Sequence, residues 1–399
     1  MDKKYSGTQH HLLSHVGPTG VYLYIIAIIL PVPGWLPIVL LATASIVTAL
    51  YGSNTSDPAI PRLAIRLVVF FIVVTIISII TSTAFEHSLK LSVSLLPALL
   101  IFYLITESFT SIKNLDRLFL CCTIAALLIA IGSLWVARDY GYPISLNPPM
   151  DFNRLVRWTP ILVVKNDLTI LSLLAPFSAV LLCRKPLSLT GGLAAISILI
   201  SLVTTILFQS RGATLTMTIS LIGVALMLRS RPIMISIAAM ALFAIGLDAW
   251  QEFPIAQRFL NDLNNPWRWN RAYSWYMAWS LFESSPWLGH GLHTYSLNSD
   301  SPWPHNLFLE ALSEQGVLGV LSLGALIGYV IVVTCSALKI NQQNVRLVSA
   351  GVFGSVIGFT FSSLFELSYV REWVNLFLFL LVGLAVNLAR HIQANQNNK

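Results

Sequence analysis

Long apolar runs separated by short polar turns make up most of this chain. We count about twelve runs of roughly 17 to 22 residues, the length of α-helix that crosses a hydrocarbon layer about 30 Å thick. The runs fall at 18–34, 35–51, 63–83, 90–107, 117–137, 166–183, 188–208, 213–229, 232–249, 311–336, 346–364 and 372–390. Pro31, Pro33 and Gly34 lie between the first two runs, so these two helices could be a broken pair. The pattern predicts an all-α polytopic membrane protein.

Composition supports this fold class. The 399 residues are 56% hydrophobic and 10% charged, and the mean hydropathy is +0.74. A water-soluble protein of this size would need more polar residues to cover its core. Residues 1–17 lack the arrangement of a cleavable signal peptide, so none is expected. The cysteines lie in or at the ends of apolar runs, and their spacing predicts neither disulfides nor a metal site: Cys121, Cys122, Cys183 and Cys335.

Lys and Arg divide the turns into two sets. Both termini and every second turn hold most of them: Lys3, Lys4, Arg62, Arg66, Lys113, Arg117, Arg184, Lys185, Arg229, Arg231, Lys339, Arg346, Arg390 and Lys399. The positive-inside rule predicts that this side is cytoplasmic. The other basic residues fall on the outer side: Lys90, Arg138, Arg154, Arg157, Lys165, Arg211, Arg258, Arg268, Arg271 and Arg371. Arginines kept there suggest an anionic ligand, although outer acidic residues could simply pair with them. The net charge of +7 thus reflects topology, and no nucleic-acid partner is expected.

The longest outer loop divides the chain into three parts. We expect transmembrane helices in 1–249, a long outer loop over 250–304, and a motif helix with the last transmembrane helices in 305–399. His290 and His293 in the loop have no third metal-ligating partner in sequence, which favours a structural role for both. Most tryptophans lie in or next to this loop: Trp250, Trp267, Trp269, Trp275, Trp279, Trp287 and Trp303.

One helix is predicted inside the loop. An Asn-Pro pair is typical of a helix start and Ser-Ser-Pro of its end, which predicts a helix over about 266–284. Arg271, Trp275 and Trp279 recur at four-residue spacing and would form a basic and aromatic stripe. A guanidinium suits phosphate oxygens, and indole faces suit either sugar C–H surfaces or lipid headgroups. The stripe therefore predicts a substrate site or an amphipathic helix resting on the membrane.

Other outer turns also carry arginines. Arg211 lies between two apolar runs, where a charge close to hydrocarbon indicates either ligand binding or snorkelling to headgroups. Arg371 lies in the last outer turn, where Glu366 or Glu372 could neutralise it or leave it to face a phosphate. Over 138–165, Pro and Gly predict an irregular lid. Its candidate substrate contacts are Arg154, Arg157 and Trp158.

Residues 305–319 join the long loop to an apolar run. Pro304 precedes them, so we predict that His305 starts a helix. At about 100° per residue, Gly316 and Gly319 would return to within roughly 40° of His305, where a neighbouring helix or a lipid chain could approach them. A helix N-terminus disfavours imidazolium, so the histidine should be neutral.

These motifs resemble the bacterial O-antigen ligase family, within a superfamily that also holds O-antigen polymerases and protein O-oligosaccharyltransferases. The family pattern of His-Asn, nine residues, Gly, two residues, Gly is met by His305, Asn306, Gly316 and Gly319. Ser210-Arg211-Gly212, Arg271 to Trp275, and Ser285 to Gly291 also match in order. The resemblance covers roughly residues 160 to 390.

The resemblance implies a fold like that of the GT-C glycosyltransferases and a periplasmic active site in the inner membrane. Such ligases transfer a glycan from undecaprenyl diphosphate to a hydroxyl of the lipid A-core oligosaccharide. Arg211 and Arg271 would clamp the diphosphate, and His305 would be a general base for the acceptor hydroxyl or position it otherwise. Asn306 and Arg371 are further candidates for substrate binding.

Several motifs are absent from the sequence. Without a Walker sequence, an Asp-x-Asp pair or zinc-type Cys/His spacing, we expect an enzyme that needs no nucleotide, metal or other cofactor. No paired carboxylates for double displacement are evident, so direct attack would invert the anomeric configuration. A polymerase or a protein O-oligosaccharyltransferase could carry the same motifs. A transporter of lipid-linked sugar is a non-enzymatic alternative, but the spans show no internal repeat.

Overall fold

In a computed structural model of the protein, residues 15–51, 60–138, 162, 165–229, 231–250, 257, 260 and 270–397 are described. The α-helices are α1 (Val16–Ala27), α2 (Trp35–Tyr51), α3 (Arg62–Ile80), α4 (Phe85–Ser92), α5 (Leu95–Ser108), α6 (Ile112–Ala137), α7 (Thr169–Arg184), α8 (Leu189–Leu207), α9 (Arg211–Leu228), α10 (Arg231–Trp250), α11 (Asn270–Ser284), α12 (Leu307–Ala337), α13 (Gln343–Ser363) and α14 (Glu372–Asn397). Short 3-10 helices cover Lys165–Leu168 and Tyr295–Leu297. These ranges contain no β-strand.

The helices confirm the predicted all-α polytopic membrane fold. Each apolar run of the sequence overlaps a helix. Within the described ranges, nine helical stretches are long and apolar enough to cross a membrane, while α1 and α2 are shorter. α1 ends at Ala27 and α2 begins at Trp35, with Pro31, Pro33 and Gly34 between them. A proline lacks the N–H that would continue a helix, which explains this broken pair.

α7 and α14 are the most enclosed of the candidate spans. α7 packs against α6, α8, α9 and α13, and α14 packs against α5, α12 and α13. Small residues allow the close approach of neighbouring helices: a Cβ on Gly354 of α13 would lie 2.6 Å from the carbonyl oxygen of Ser220 on α9. Because lipid tails are as apolar as leucine, membrane helices associate through such close packing more than through a hydrophobic effect.

Contacts between turns fall at the two ends of the helix bundle. One end joins residues of the predicted outer set: Arg271 with Glu366, Arg371 with Asp167, and Thr83 with His290. The other end joins residues of the predicted inner set: Arg184 with Asp116, and Arg390 with Glu107. The two sets of turns therefore agree with the alternation deduced from the sequence, whereas the end that faces the cytoplasm stays a prediction.

Candidate active site

His305 lies just outside α12. Asn306 is the N-cap of this helix, and its Oδ1 accepts the backbone N–H groups of Phe308 at 3.0 Å and Leu309 at 3.1 Å. His305 has a left-handed φ of 55°, so the prediction that it starts the helix was wrong. The capping asparagine satisfies two amides at the helix start, and the left-handed residue turns the chain away from the helix. Because capping occupies Oδ1 of Asn306, its role in substrate binding stays a prediction.

Gly316 interrupts α12. Its φ of 65° and ψ of −160° are not helical, so the continuous stripe predicted for His305, Gly316 and Gly319 does not form. A Cβ at position 316 would lie 2.3 Å from the carbonyl carbon of Trp287, and only glycine allows the loop backbone so close. The backbone that approaches Gly316 therefore belongs to a loop, where the sequence had suggested a neighbouring helix or a lipid chain.

The loop 285–291 docks into this break through its backbone. Three bonds join the two segments: His290 N–H to Ser313 O at 3.0 Å, Gly291 N–H to Glu314 O at 2.9 Å, and Val317 N–H to Pro286 O at 2.9 Å. A continuous helix would use these helix groups internally, and the break makes them available to the loop. The Ser285 to Gly291 motif and the glycine motif of α12 thus form one structural unit.

Two buried glutamate side chains on the first part of α12 hold further loops. Glu314 accepts the backbone N–H of His293 at 2.7 Å and that of Tyr295 at 3.0 Å, one with each oxygen. Glu310 accepts the hydroxyl of Ser368 at 2.9 Å. The sequence analysis did not single out either glutamate. Ionisable groups in or directly next to a predicted span are a signal of function or of a specific partner, which would have identified both.

Trp303 connects His305 with Arg371. Its indole Nε1–H donates to Nδ1 of His305 at 3.1 Å, and the two rings lie edge to face with their centroids 5.4 Å apart. The guanidinium carbon of Arg371 lies 4.2 Å from the centroid of the indole. A cation over a tryptophan face gains electrostatic stabilisation from the ring quadrupole. One aromatic side chain therefore positions both polar groups.

Arg371 is buried and forms an ion pair with Asp167. The distance from Nε to Oδ1 is 3.6 Å, and the same oxygen accepts the indole N–H of Trp373 at 3.1 Å. The sequence had suggested Glu366 or Glu372 as the partner of Arg371. The partner that the structure shows comes instead from the turn before α7, which packing brings beside the start of α14. Because Asp167 is far from Arg371 in sequence, the sequence analysis did not identify it as the partner.

Glu366 joins the Ser-Arg-Gly motif to α11. Its Oε1 lies 2.6 Å from Nη2 of Arg271, and both side chains are largely buried. A Cβ on Gly212 would lie 2.5 Å from the same oxygen, so glycine leaves the space that the carboxylate occupies. Arg211, the first residue of α9, is half-buried directly before this glycine. The two arginine motifs therefore meet at one carboxylate.

Burial, together with the positive charges of Arg271 and Arg371, lowers the pKa of His305 to about 4. The imidazole is consequently neutral at physiological pH, as the sequence predicted. The physical cause differs from the predicted one, because His305 precedes the helix, and burial and the positive charges of Arg271 and Arg371 keep it neutral. We call Arg211, Arg271, His305 and Arg371 the arginine–histidine cluster.

α11 carries two of the predicted stripe residues towards this cluster. Arg271 contacts Glu366, and the ring of Trp275 lies 6.2 Å from that of Phe365. Trp279 is 46% exposed, and its indole donates to Glu283 of the same helix at 2.8 Å. Arg271 and Trp275 therefore face the site, whereas Trp279 is exposed at the surface. The predicted first turn, 266–269, lies outside the described residues.

A cavity of about 580 Å³ lies beside Arg371. Its wall combines apolar side chains such as Val32 and Ile38 with polar ones, including Lys90 and His293. His293 is 3% exposed, and neither ring nitrogen has a hydrogen-bond partner among the described residues. Burial lowers its pKa to about 4, and His87 contributes to this decrease. The backbone of His293 binds Glu314 and His87, as in a structural role, while its neutral ring lies at the wall of the amphiphilic cavity.

His290 does have the predicted structural role, since Nε2 lies 2.8 Å from Ser284 Oγ and 3.0 Å from Leu281 O. The predicted lid contacts Arg154, Arg157 and Trp158 lie outside the described residues.

No three His, Cys, Asp or Glu side chains form a possible metal site in the described part of the chain. Metal independence nevertheless stays a prediction.

Fold and cluster together define a class: a polytopic membrane protein with arginines around a neutral histidine at one end of its helix bundle. Residues 196–324 match the Wzy_C family model, described as O-Antigen ligase. This match confirms the resemblance noted from the motifs and indicates a glycosyltransferase-like enzyme of the O-antigen ligase and polymerase type. It includes Arg211, Arg271 and His305, whereas Arg371 lies beyond it. No curated protein matches the chain.

Proposed function

We propose that the protein is an O-antigen ligase, which transfers a glycan from undecaprenyl diphosphate to a hydroxyl of the lipid A-core oligosaccharide. The observation that carries this proposal is the arginine–histidine cluster, which lies at one end of the helix bundle and mostly inside the segment that matches the family. Charged side chains close to the hydrocarbon layer are costly unless they have a partner. An anionic lipid headgroup would be a suitable partner for the arginines of this cluster.

The donor diphosphate would bind to Arg211 and Arg271, with Arg371 nearby. A guanidinium has five N–H donors, so one carboxylate partner does not exhaust its capacity. The pairs with Glu366 and Asp167 hold Arg271 and Arg371 in place before substrate arrives. Such preorganised donors stabilise developing negative charge without reorganisation during the reaction. Charge-assisted bonds from guanidinium to phosphate are about twice as strong as neutral ones.

The reaction would be a direct displacement. The acceptor oxygen attacks the anomeric carbon while the bond to the diphosphate oxygen breaks, and the electron pair of that bond stays with the leaving diphosphate. One displacement inverts the anomeric configuration. The arginines neutralise the leaving group, and His305 lies at the reacting groups. Nucleotide and metal are not required by this scheme.

The acceptor would enter through the cavity beside Arg371. Its apolar wall suits acyl chains, while Lys90, His293 and Arg371 suit a polar or phosphorylated headgroup. Arg371 would therefore lie between the donor and acceptor positions. We place the cluster at the periplasmic face of the inner membrane, with both termini in the cytoplasm, since this orientation puts most Lys and Arg inside.

Purified protein incubated with lipid-linked O-antigen and lipid A-core, with EDTA and without ATP, tests the proposal. We expect glycan on lipid A-core with the parent, and a loss of at least about tenfold with Arg211→Ala, Arg271→Ala and His305→Ala, since each removes a contact worth about 1.5–3 kcal/mol. Arg138→Ala is a matched control. This arginine belongs to the same predicted outer set, but it lies over Trp135 at 3.6 Å and outside the cluster.

Other outcomes identify other functions. Lengthening of the lipid-linked chain with an untouched core would establish a polymerase. Glycan on an added acceptor protein would indicate a protein O-oligosaccharyltransferase. Donor binding without any transfer, combined with movement of donor across proteoliposomes, would overturn the enzyme proposal in favour of transport.

A further inference from the structure

The contact between Trp303 and His305 determines which imidazole nitrogen carries the proton. An indole nitrogen is only a hydrogen-bond donor, so Nδ1 of His305 must be the acceptor in the 3.1 Å bond. A neutral imidazole has one N–H, which then lies on Nε2. In this arrangement Nε2 donates a hydrogen bond and has no lone pair for a proton. A general base acting through Nε2 would need the opposite tautomer.

The charges around the ring favour the same conclusion. Arg271 and Arg371 both act on His305 electrostatically, and the guanidinium of Arg371 is held over the indole that binds the ring. A proton accepted by His305 would add a third positive charge to those of Arg271 and Arg371 in a buried site. An N–H donor beside two guanidinium groups instead suits a shared anionic ligand.

We infer that Trp303 is a positioning residue that holds His305 as the Nε2–H tautomer, and that His305 donates this N–H to a phosphate oxygen of the donor diphosphate. The identity of the ligand rests on the proposed function, whereas the tautomer does not. Trp303 thereby positions His305 and Arg371 so that both can bind the same diphosphate. The sequence alternative of a general base for the acceptor hydroxyl is replaced by a role in leaving-group binding.

The chemical step balances without a histidine base. The acceptor oxygen forms the new bond to the anomeric carbon, and the old bond leaves its electron pair on the diphosphate oxygen. The hydroxyl proton becomes strongly acidic as its oxygen bonds to carbon, and it passes to water. The charge that develops on the diphosphate is stabilised by the arginines and by Nε2–H of His305.

Nitrogen-15 NMR of the full-length protein with labelled histidine tests the tautomer. We expect an unprotonated shift for Nδ1 of His305 and a protonated shift for Nε2, assigned by the signal missing in His305→Gln. Trp303→Phe keeps a ring beneath Arg371 but removes the indole N–H, so the two nitrogen shifts should move towards each other. Trp279→Phe is the matched control, since its N–H binds only Glu283 among the described contacts. An unprotonated Nε2 in the parent would overturn the inference.

Kinetics of the variants test the role. The glutamine of His305→Gln offers an amide N–H near the position of Nε2 but cannot act as a base. We expect this variant to stay within about fivefold of the parent, whereas His305→Ala should lose about 10- to 150-fold, the range for a hydrogen bond to a charged group. Trp303→Phe should slow transfer by about threefold to tenfold. Equal losses of about 10²–10⁴-fold for Gln and Ala would support a base instead.

Adding farnesyl diphosphate to the labelled parent probes the ligand. We expect the Nε2 signal of His305 to shift, and the shift to disappear in Arg271→Ala. A bound diphosphate that leaves this signal unchanged would overturn the assignment of the ligand. A parent with the expected tautomer and no transfer in any glycan assay would refute the ligase proposal but not the role of Trp303.

Discussion

Replacing Gly316 by alanine should separate the loop 285–291 from α12. The added Cβ would lie 2.3 Å from the Trp287 carbonyl carbon, roughly 1 Å inside the closest ordinary contact. The φ of 65° with ψ of −160° is essentially restricted to glycine, and strain there costs about 1–3 kcal/mol. Releasing the loop instead loses three backbone bonds of about 0.5–1.5 kcal/mol each, part of which a straighter helix regains. Either way, local stability should fall by about 1–3 kcal/mol.

Hydrogen–deuterium exchange in detergent measures this change directly. A decrease of about 1–3 kcal/mol in the free energy of local opening makes exchange roughly 5- to 150-fold faster for the amides of His290 and Gly291. We also expect slower glycan transfer, because His305 directly precedes the N-cap of the same helix segment. Gly324→Ala is the matched control on α12, since a Cβ there meets nothing within 4 Å. Equal exchange rates in Gly316→Ala and Gly324→Ala would refute this interpretation of the break.

Three further changes test the cluster. Gly212→Ala should reduce glycan transfer at least about tenfold, because its Cβ would displace the Glu366 carboxylate that binds the α11 arginine. Asp167→Asn should destabilise the protein by about 3–5 kcal/mol, because buried Arg371 loses a carboxylate, and thermal unfolding in detergent measures this. The imidazole of His305, whose pKa is lowered to about 4, should stay neutral as pH falls from 8 to 5 and protonate only below that range in an NMR titration.

Each of these predictions has a control and a contrary result. Gly192→Ala has open space around its Cβ and should transfer glycan like the parent. If Gly212→Ala is also as active as the parent, the carboxylate is not needed for transfer. Asp300→Asn changes an exposed carboxylate and should leave unfolding unchanged, so an unfolding curve for Asp167→Asn like that of the parent would contradict the buried pair. An imidazole midpoint near 6.5 would contradict the enclosed position of His305.

Hydropathy alone was sufficient to locate the apolar helices. A bilayer admits only segments that satisfy their own backbone hydrogen bonds, so span length and composition are local properties of the chain. Pro31 and Pro33 also marked the break between α1 and α2 correctly, since the lost donor is intrinsic to proline. Arg211, Arg271 and His305 could be named from motifs because each lies in a short recognisable pattern.

Partners across the bundle could not be deduced in the same way. Arg371 pairs with Asp167, which is far away in sequence, and Glu366 pairs with Arg271 instead of its own neighbour in the turn. An ion pair depends on which helix ends packing brings together, and nearby carboxylates in sequence offer equally good chemistry. Proximity in sequence therefore did not identify the correct ion-pair partners.

The backbone of α12 also combines features that the sequence predicted with features that only the tertiary structure shows. The sequence placed glycines at positions 316 and 319, but regular helical geometry was assumed between them and His305. Only the tertiary structure shows that Gly316 breaks the helix. The loop 285–291 forms backbone hydrogen bonds with helix groups that a continuous helix would pair internally. The tertiary structure also shows that Trp303 holds the histidine ring. Local sequence determined the apolar helices and the candidate site residues, while long-range packing determined the partners of those residues, since only packing sets which groups meet.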